Sequence, residues 1–373
     1  MPKDAENRNN KSSPSELLKP YRERIDQIDE TILNLLAERA QLAKKIGEIK
    51  KEYGLAVHVP EREREILERL LEKNKGRFPE KALVRIFREI ISACLSLEQP
   101  LKVGYLGPKA TFTHQAALEH FGISAKYIPL ATIRDVFEEV ERGNIDYGVV
   151  PVENTIEGVV NYTLDMFLQM PNVNIVGEII IPVSLHLLSL AEDLSQIKKV
   201  YSHPHALAQA RAWLDKHLPN AQRIEVESTA KAAELALEDE ESAAIASEAA
   251  ATVYNLNILA NNVQETLNNY TRFLVIGKKK LGKTGKDKTS VLFAVKDEAG
   301  ALYKALEPFY RYGVNLTKIE SRPSRAKSWD YVFFVDIEGH REDPSVEKAL
   351  QELKKRTKLV RILGSYPSAL RKE

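Results

Sequence analysis

From Tyr21 to Lys51 the chain runs without a proline, and Ile25, Ile28, Ile32, Leu35, Leu36, Leu42, Ala43, Ile46 and Ile49 recur through the stretch at helical spacing. One unbroken helix of about 45 Å is the reading, at 1.5 Å per residue. Two shorter helices follow, Glu61–Asn74 and Pro79–Glu98, separated by Gly76 and with Pro79 at a helix-opening position. The first helix outreaches both companions. Its far end needs another surface to cover the apolar stripe, and a second copy of the chain is the simplest supply. An intertwined homodimer is therefore expected.

This block has its own composition. The first hundred residues hold 38 charged side chains and three glycines, whereas the remaining 273 hold 69 and 14. A charge-rich, glycine-poor block followed by a glycine-bearing one marks a domain boundary near Gln99–Pro100. A second boundary falls in Lys278–Lys288, where KKKLGKTGKDK joins two apolar strands and reads as a solvated linker. Three domains are expected, over 15–99, 101–278 and 287–367.

From Leu101 to Gly277 short apolar strands alternate with helices. Strands are expected at 102–106, 126–129, 147–151, 175–181, 200–201, 224–226, 243–246 and 273–276, with helices such as 132–141 and 230–238 between them. That alternation argues for mostly parallel sheets covered by helices. Thr289 to Tyr366 reads strand, helix, strand, strand, helix, strand, the order of a ferredoxin-like sandwich.

The whole chain carries a net charge of +1, which lacks the electrostatic footprint of a nucleic-acid binder. Its single cysteine, Cys94, forbids an intrachain disulfide and a thiolate zinc site. No stretch approaches the roughly 20 apolar residues that cross a bilayer, and Met1–Ser15 has no apolar run of the secretory kind. A soluble, cytoplasmic protein is expected.

In the helical block Arg39 and Lys50 are eleven residues apart, so they share one helix face about 16 Å apart. Arg22 points about 100° away from Arg39, and Arg62 and Glu63 open the second helix. Spacing alone would also suit a solvated charged surface. The residues YRERIDQIDETILNLLAERAQLAKKIGEIK and PEREREILERL, however, resemble the all-helical chorismate mutases across nearly the whole block. The resemblance implies that Arg22, Arg39, Lys50, Arg62 and Glu63 bind chorismate, with Arg22 reaching the partner subunit's site. Cations would clamp two carboxylates in the compact reactive conformer while a donor stabilises charge on the breaking ether oxygen. Where a better-known branch has an acidic residue, a serine and a glutamine, this chain has Val59, Cys94 and Glu98. A carboxylate cannot donate to that ether oxygen, so acidification is expected to favour the mutase.

In the α/β block polar clusters sit where strands end and helices begin, the anion-receptive positions of open sheets. GPKATFTHQAA, VVPVENTIEG, YSHPHALAQ, STA and TRFLVIG, in this order, resemble prephenate dehydratase. The resemblance implies a two-lobed, periplasmic-binding-protein-like fold with its site in the cleft. Carried over by motif, Thr271, Asn154 and Gln209 are the catalytic candidates, and Thr111, Glu153, Ser228, Thr229 and Arg272 the substrate-binding ones. Thr271 is expected to donate to the departing hydroxyl. Glu153 is either an acid or an orienter of Asn154, and Arg272 either binds a carboxylate or makes a structural ion pair. His203 and His205 invite a metal reading, but with no cysteine or acidic ligand adjacent a capping or loop-ordering role is preferred. No metal and no cofactor are expected.

DEAGALYKALEPFYRYGVNLTKIESRP resembles the ACT regulatory domain that follows prephenate dehydratases. That implies phenylalanine binding between paired domains at Gly300, Ala301, Leu302, Asn315, Leu316, Glu320, Ser321 and Arg322. Together the resemblances imply an enzyme that turns chorismate into prephenate and then phenylpyruvate, inhibited by phenylalanine. Two rivals stay open: arogenate as the second substrate, and a non-catalytic ligand sensor built on the same cleft.

Overall fold

The computed structural model describes residues 14–266, 268–323 and 331–369. The segment read as lacking a secretory signal lies almost wholly outside them.

Three helices come first: α1 (Pro14–Glu52), α2 (Pro60–Asn74) and α3 (Glu80–Glu98). The long helix forms as its periodicity demands and extends past Pro20, which it accommodates near its start. No residue of α1 is buried in the single chain, and Ile25, Ile28, Ile32, Leu35, Leu42, Ile46 and Ile49 are all exposed. α1 and α3 run side by side in the same direction, since Arg39 reaches Ile90 while Lys50 reaches Glu98.

A two-lobed α/β body follows. Its chain order is β1 (Lys102–Leu106), α4 (Phe112–Phe121), β2 (Lys126–Leu130), α5 (Ile133–Arg142), β3 (Tyr147–Asn154), β4 (Gly158–Val159), α6 (Asn161–Gln169) and β5 (Asn174–Pro182) in the first lobe. The second lobe holds β6 (His186–Ser189), β7 (Lys199–Ser202), α7 (Pro204–Gln209), α8 (Arg211–His217), β8 (Gln222–Glu225), α9 (Thr229–Leu235), β9 (Ser242–Ala246), α10 (Glu248–Tyr254) and β10 (Asn257–Ala260). The chain then returns to the first lobe through β11 (Tyr270–Gly277).

The sheets are mixed, which corrects the expectation of mostly parallel pairing. The first has the order β2-β1-β3-β11-β5 with β4 beside β3, and the second β10-β6-β9-β7-β8. The returning strand β11 lies antiparallel to both neighbours, β3 and β5. Alternation of strands and helices describes the βα units but is blind to a strand inserted on the way back.

The last unit is β12 (Asp287–Ala294), α11 (Ala301–Arg311), β13 (Leu316–Pro323), β14 (Tyr331–Glu338), α12 (Pro344–Arg356) and β15 (Leu359–Pro367), a four-stranded sheet of order β13-β14-β12-β15. Val291, Phe293 and Val335 face its two helices, while Leu292, Phe334, Leu363 and Tyr366 join the core of the first lobe. The two sheets therefore share one apolar layer. Gly364 permits the closest approach: a Cβ there would stand 2.0 Å from the Ile175 carbonyl oxygen.

The lysine-rich linker is also more tied down than its composition suggests. Leu281 is buried in the first lobe's core, the Gly282 amide donates to Glu61 of α2, and the Leu281 carbonyl accepts from His340 Nε2 at 3.3 Å.

Candidate active sites

Along the α1–α3 seam, Arg39 Nη1 lies 3.5 Å from the Ile90 carbonyl oxygen. Lys50 Nζ donates to the Val57 carbonyl at 2.6 Å and approaches Glu98 Oε2 at 3.3 Å. Cys94 is buried one turn before Glu98, on the same face. Four of the expected mutase residues thus line one seam. Arg22 does not join them: seventeen residues of helix, about 26 Å, separate it from Arg39. Arg62 is paired with Glu65 on the exposed side of α2.

Glu63 departs furthest from its expected place. It turns into the junction between the helical block and the first lobe, where His58 Nε2 lies 3.3 Å from Oε2 and His58 Nδ1 2.9 Å from the Tyr147 hydroxyl. A carboxylate can only accept, so Nε2 carries the proton and, in the neutral ring, Nδ1 accepts from the tyrosine. Burial raises the Glu63 pKa, yet the His58 hydrogen bond and the nearby His58, His120 and Arg88 charges hold it below the ordinary value. To touch chorismate Glu63 would have to leave His58.

In the α/β body the cleft is crossed by one hydrogen-bonded chain. Gln209, at the end of α7 in the second lobe, accepts from Asn269 Nδ2 at 3.1 Å. Asn154 Nδ2 donates both to Asn269 Oδ1 at 2.8 Å and to Thr271 Oγ1 at 2.9 Å. Asn154 Oδ1 in turn accepts the Ile156 and Glu157 amides at 2.9 and 3.0 Å, which fixes its amide orientation. Because Thr271 accepts from Asn154, its own hydroxyl proton stays free to donate. The three expected catalytic residues are thereby joined through a fourth, Asn269, which the sequence reading missed. It is 1% exposed, and its signal was the asparagine pair directly ahead of YTRF.

Thr111 and Ser228 cap α4 and α9, accepting the His114 and Lys231 amides, and Thr229 opens α9. His203 caps α7, and His205 Nδ1 pairs with Glu157 Oε1 at 2.6 Å, linking the lobes.

Glu153 and Arg272 stand apart from this cluster. They are register partners on β3 and β11, as are Asn154 and Thr271, and strand alternation sends successive pairs to opposite faces. That alternation puts Glu153 and Arg272 on the side of the C-terminal sheet, where Lys318 and Asp336 meet them. Arg272 there binds Glu178 at 2.8 Å, Asp336 at 2.6 Å and the Tyr366 hydroxyl at 3.2 Å. Of the two readings held for Arg272, the structural ion pair is the one observed.

In the C-terminal unit a cleft of about 230 Å³ opens at the start of α11 and is lined by Gly300, Ala301, Leu302 and Phe333. Gly300 has φ 79°, a conformation glycine supplies at no steric cost. Asn315, Leu316, Glu320 and Ser321 precede or lie on the edge strand β13, outside the cleft lining, and Arg322 is committed to Asp165 of α6 at 3.3 Å.

Family models match the three units in turn: chorismate mutase type II over residues 21–99, prephenate dehydratase over 103–281 and the ACT domain over 289–355. The bifunctional chorismate mutase/prephenate dehydratase of Aquifex aeolicus is 66% identical over 362 residues, covering 96% of this chain and all of the relative. The chain belongs to that family. Among solved structures, the prephenate dehydratase of Arthrobacter aurescens in complex with L-Phe matches 72% of this chain and 90% of its own, at 36% identity and a TM-score of 0.66. The Staphylococcus aureus prephenate dehydratase matches 71% of this chain and all of its own, at 28% identity and a TM-score of 0.63. The share of this chain left over in both comparisons is about the length of the helical block. Among the described residues no helix is long and apolar enough to cross a membrane.

Proposed function

We propose that this chain rearranges chorismate to prephenate in its helical domain and converts prephenate to phenylpyruvate in the cleft, under phenylalanine control, in the cytoplasm. The domain limits are those read from the sequence, 15–99, 101–278 and 287–367. The observation that carries the reading is the Gln209–Asn269–Asn154–Thr271 chain, which sets a free hydroxyl donor at the junction of two lobes.

In the second reaction the bond from the ring to its carboxylate breaks and its electrons complete the aromatic ring. The C–O bond to the ring hydroxyl breaks as they arrive. Carbon dioxide leaves, and the departing oxygen takes a proton to become water. Thr271 assists that oxygen as a hydrogen-bond donor, because an alcohol is a poor general acid. Thr111, Ser228 and Thr229 stand at helix starts, where backbone amides favour the substrate's anionic groups.

For the mutase, Arg39 and Lys50 supply the cations of one seam and Arg22 comes from a second copy. The exposed apolar face of α1 supports that dimer. Phenylalanine is taken at the α11 cleft, where β13 of another copy completes the site.

An ultraviolet assay on purified protein, started from chorismate, tests both halves. Thr271→Ala should accumulate prephenate, with dehydratase kcat down about 10²-fold and mutase turnover retained. Near-wild-type phenylpyruvate formation by that variant would remove Thr271 from the chemistry.

A further inference from the structure

Four ion pairs among the described residues join the dehydratase and ACT domains: Arg272–Asp336, Lys288–Glu178, Arg322–Asp165 and Lys318–Glu153. Two of them, at Arg272 and Glu153, involve residues adjoining the cleft residues Thr271 and Asn154. Arg272 has little freedom to respond to the ACT domain, since Glu178 of its own lobe also holds it at 2.8 Å. Glu153 differs. Among the described residues the side-chain partner it has is Lys318 of β13, with Nζ 2.7 Å from Oε2.

Lys318 is unusually dependent on that contact. Its side chain is 13% exposed and lines a largely apolar cavity with Val152, Leu164, Phe167 and Phe334, whose polar members are Arg272, Ser290 and Asp336. The approach to Glu153 is too bent to form a directed hydrogen bond, and Nζ has no other partner among the described residues. Asp336, the register partner of Lys318, is already engaged by Arg272 and Ser290, so the cation relies on Glu153, and separating them is costly. If β13 moves, Glu153 follows or the ammonium is stranded.

Both ends of the contact are well placed to matter. β13 is an edge strand, hydrogen-bonded on one side to β14, and it carries Leu316, Glu320, Ser321 and Arg322 of the expected effector site. Glu153 is peptide-bonded to Asn154, whose side chain fixes Thr271 at 2.9 Å. From effector strand to leaving-group donor there are thus one ion contact, one peptide unit and one hydrogen bond.

We propose that the Lys318–Glu153 contact transmits the position of the effector strand to the dehydratase site. The proposal rests on the cleft being that site and on phenylalanine being the effector. Any bias phenylalanine exerts must act through contacts that differ between two positions of β13, and this is the contact whose loss reaches Asn154.

The test uses the full-length chain and three variants. Lys318→Met replaces a buried cation by an apolar chain suited to the cavity and leaves Glu153 hydrated, so folding should tolerate it. Phenylalanine binding, followed by calorimetry, should persist, while the ratio of uninhibited to inhibited dehydratase rate falls at least about fivefold, the lower end of ordinary coupling. Lys318→Arg should restore inhibition. Lys288→Met breaks a different pair between the same domains and should remain inhibited like the wild type, which separates transmission from loosened docking. If Lys318→Met does not accumulate folded, Lys318→Gln is measured with the same expectation. Inhibition of Lys318→Met as deep as in the wild type overturns the proposal. So does equal loss in Lys288→Met, or loss of phenylalanine binding itself, which would put Lys318 in the effector site. A wild type untouched by phenylalanine, or a fully active Thr271→Ala, would instead sink the reading beneath it.

Discussion

The helical domain and the α/β–ACT body solve the burial problem in opposite ways. In the body, β9 and the C-terminal five residues of β11 are wholly buried, and the first lobe even shares its core with Leu292, Phe334, Leu363 and Tyr366 of the ACT sheet. Helix α1 buries nothing. One region is finished by its own chain, and the other presents ten large aliphatic side chains along α1 to whatever comes next. A polar cleft cluster assembled within one chain and a helical seam that Arg22 of the same chain does not join follow from the same difference.

Breaking the helical side should have the largest effect. Ile28→Asp with Ile32→Asp puts two charges on the exposed apolar face of α1, where Ile28 and Ile32 are 44% and 49% exposed. Sedimentation should find a smaller species. Mutase kcat/KM should fall at least about 10²-fold, because a cation that is missing rather than misplaced costs at least what misplacement costs. Dehydratase turnover should persist. A variant that keeps its mass and mutase activity would mean that α1 is covered by something other than a second copy.

The body is vulnerable where it is tightest. Gly364→Val drives a side chain into the Ile175 carbonyl, and because the clash is with backbone neither partner can rotate away. Overpacking of this severity sits at about 3 kcal/mol, the upper part of its usual range. Denaturant unfolding should show the ACT sheet detaching first, with mutase activity preserved. A variant as stable as wild type would show that the shared apolar layer yields readily.

How far these two regions could be read beforehand differs in the same sense. Helical periodicity gave α2 and α3 to within a residue and the end of α1 as closely, because a 3.6-residue stripe is local information, whereas α1 begins at Pro14, seven residues before the expected Tyr21, by accommodating Pro20. The polar clusters do stand where β1, β3, β7 and β8 end, and it was the motif resemblance that pointed to Asn154, Gln209 and Thr271. What sequence could not supply was facing. That the face carrying Glu153 and Arg272 is the one the ACT sheet covers depends on contacts with Lys318 and Asp336 of another domain, which no local pattern encodes. The short strands β6 and β10 escaped notice because four residues scarcely establish a period. Glu63 was assigned by its neighbours in a motif, but its environment is set by His58 and by Tyr147 of another domain.

That junction between the two regions should be sensitive to acid. His120, at the end of α4, is driven down from 6.5 to about 4, chiefly by burial, with Arg88 adding, Glu63 opposing and His58 adding a little. The unfolded chain takes up a proton near pH 6.5 that the folded chain refuses until about 4. Stability from this group is therefore complete above pH 6.5 and is lost as the pH falls through that window. Each tenfold change in proton affinity corresponds to about 1.4 kcal/mol, and about 2 kcal/mol in all is expected here because the ring keeps some contact with solvent. Glu63, held below 4.5, makes its loss at lower pH still. His120→Asn should flatten thermal stability between about pH 7 and about pH 5. An unchanged slope would assign the acid sensitivity elsewhere.

The smallest effect concerns Glu98, and its sign is the informative part. Its side chain is 6% exposed, packs against Gly47 and meets Lys50 Nζ at 3.3 Å. In this seam Lys50 is therefore partly neutralised by a carboxylate that can accept but never donate. Both facts work against a rearrangement in which negative charge grows on an ether oxygen. Glu98→Gln keeps the shape, supplies an amide donor and frees Lys50 to face the substrate, with the Val57 carbonyl still holding its ammonium at 2.6 Å. Mutase kcat/KM should rise about fivefold, a modest share of what one well-aimed donor is worth, and the dehydratase should not respond. A fall would mean that the ion pair aligns Lys50 for chorismate and that Glu98 serves the lysine. No change at all would take Glu98 out of the reaction, leaving Arg39 and Lys50 as the part of this seam that acts on the substrate.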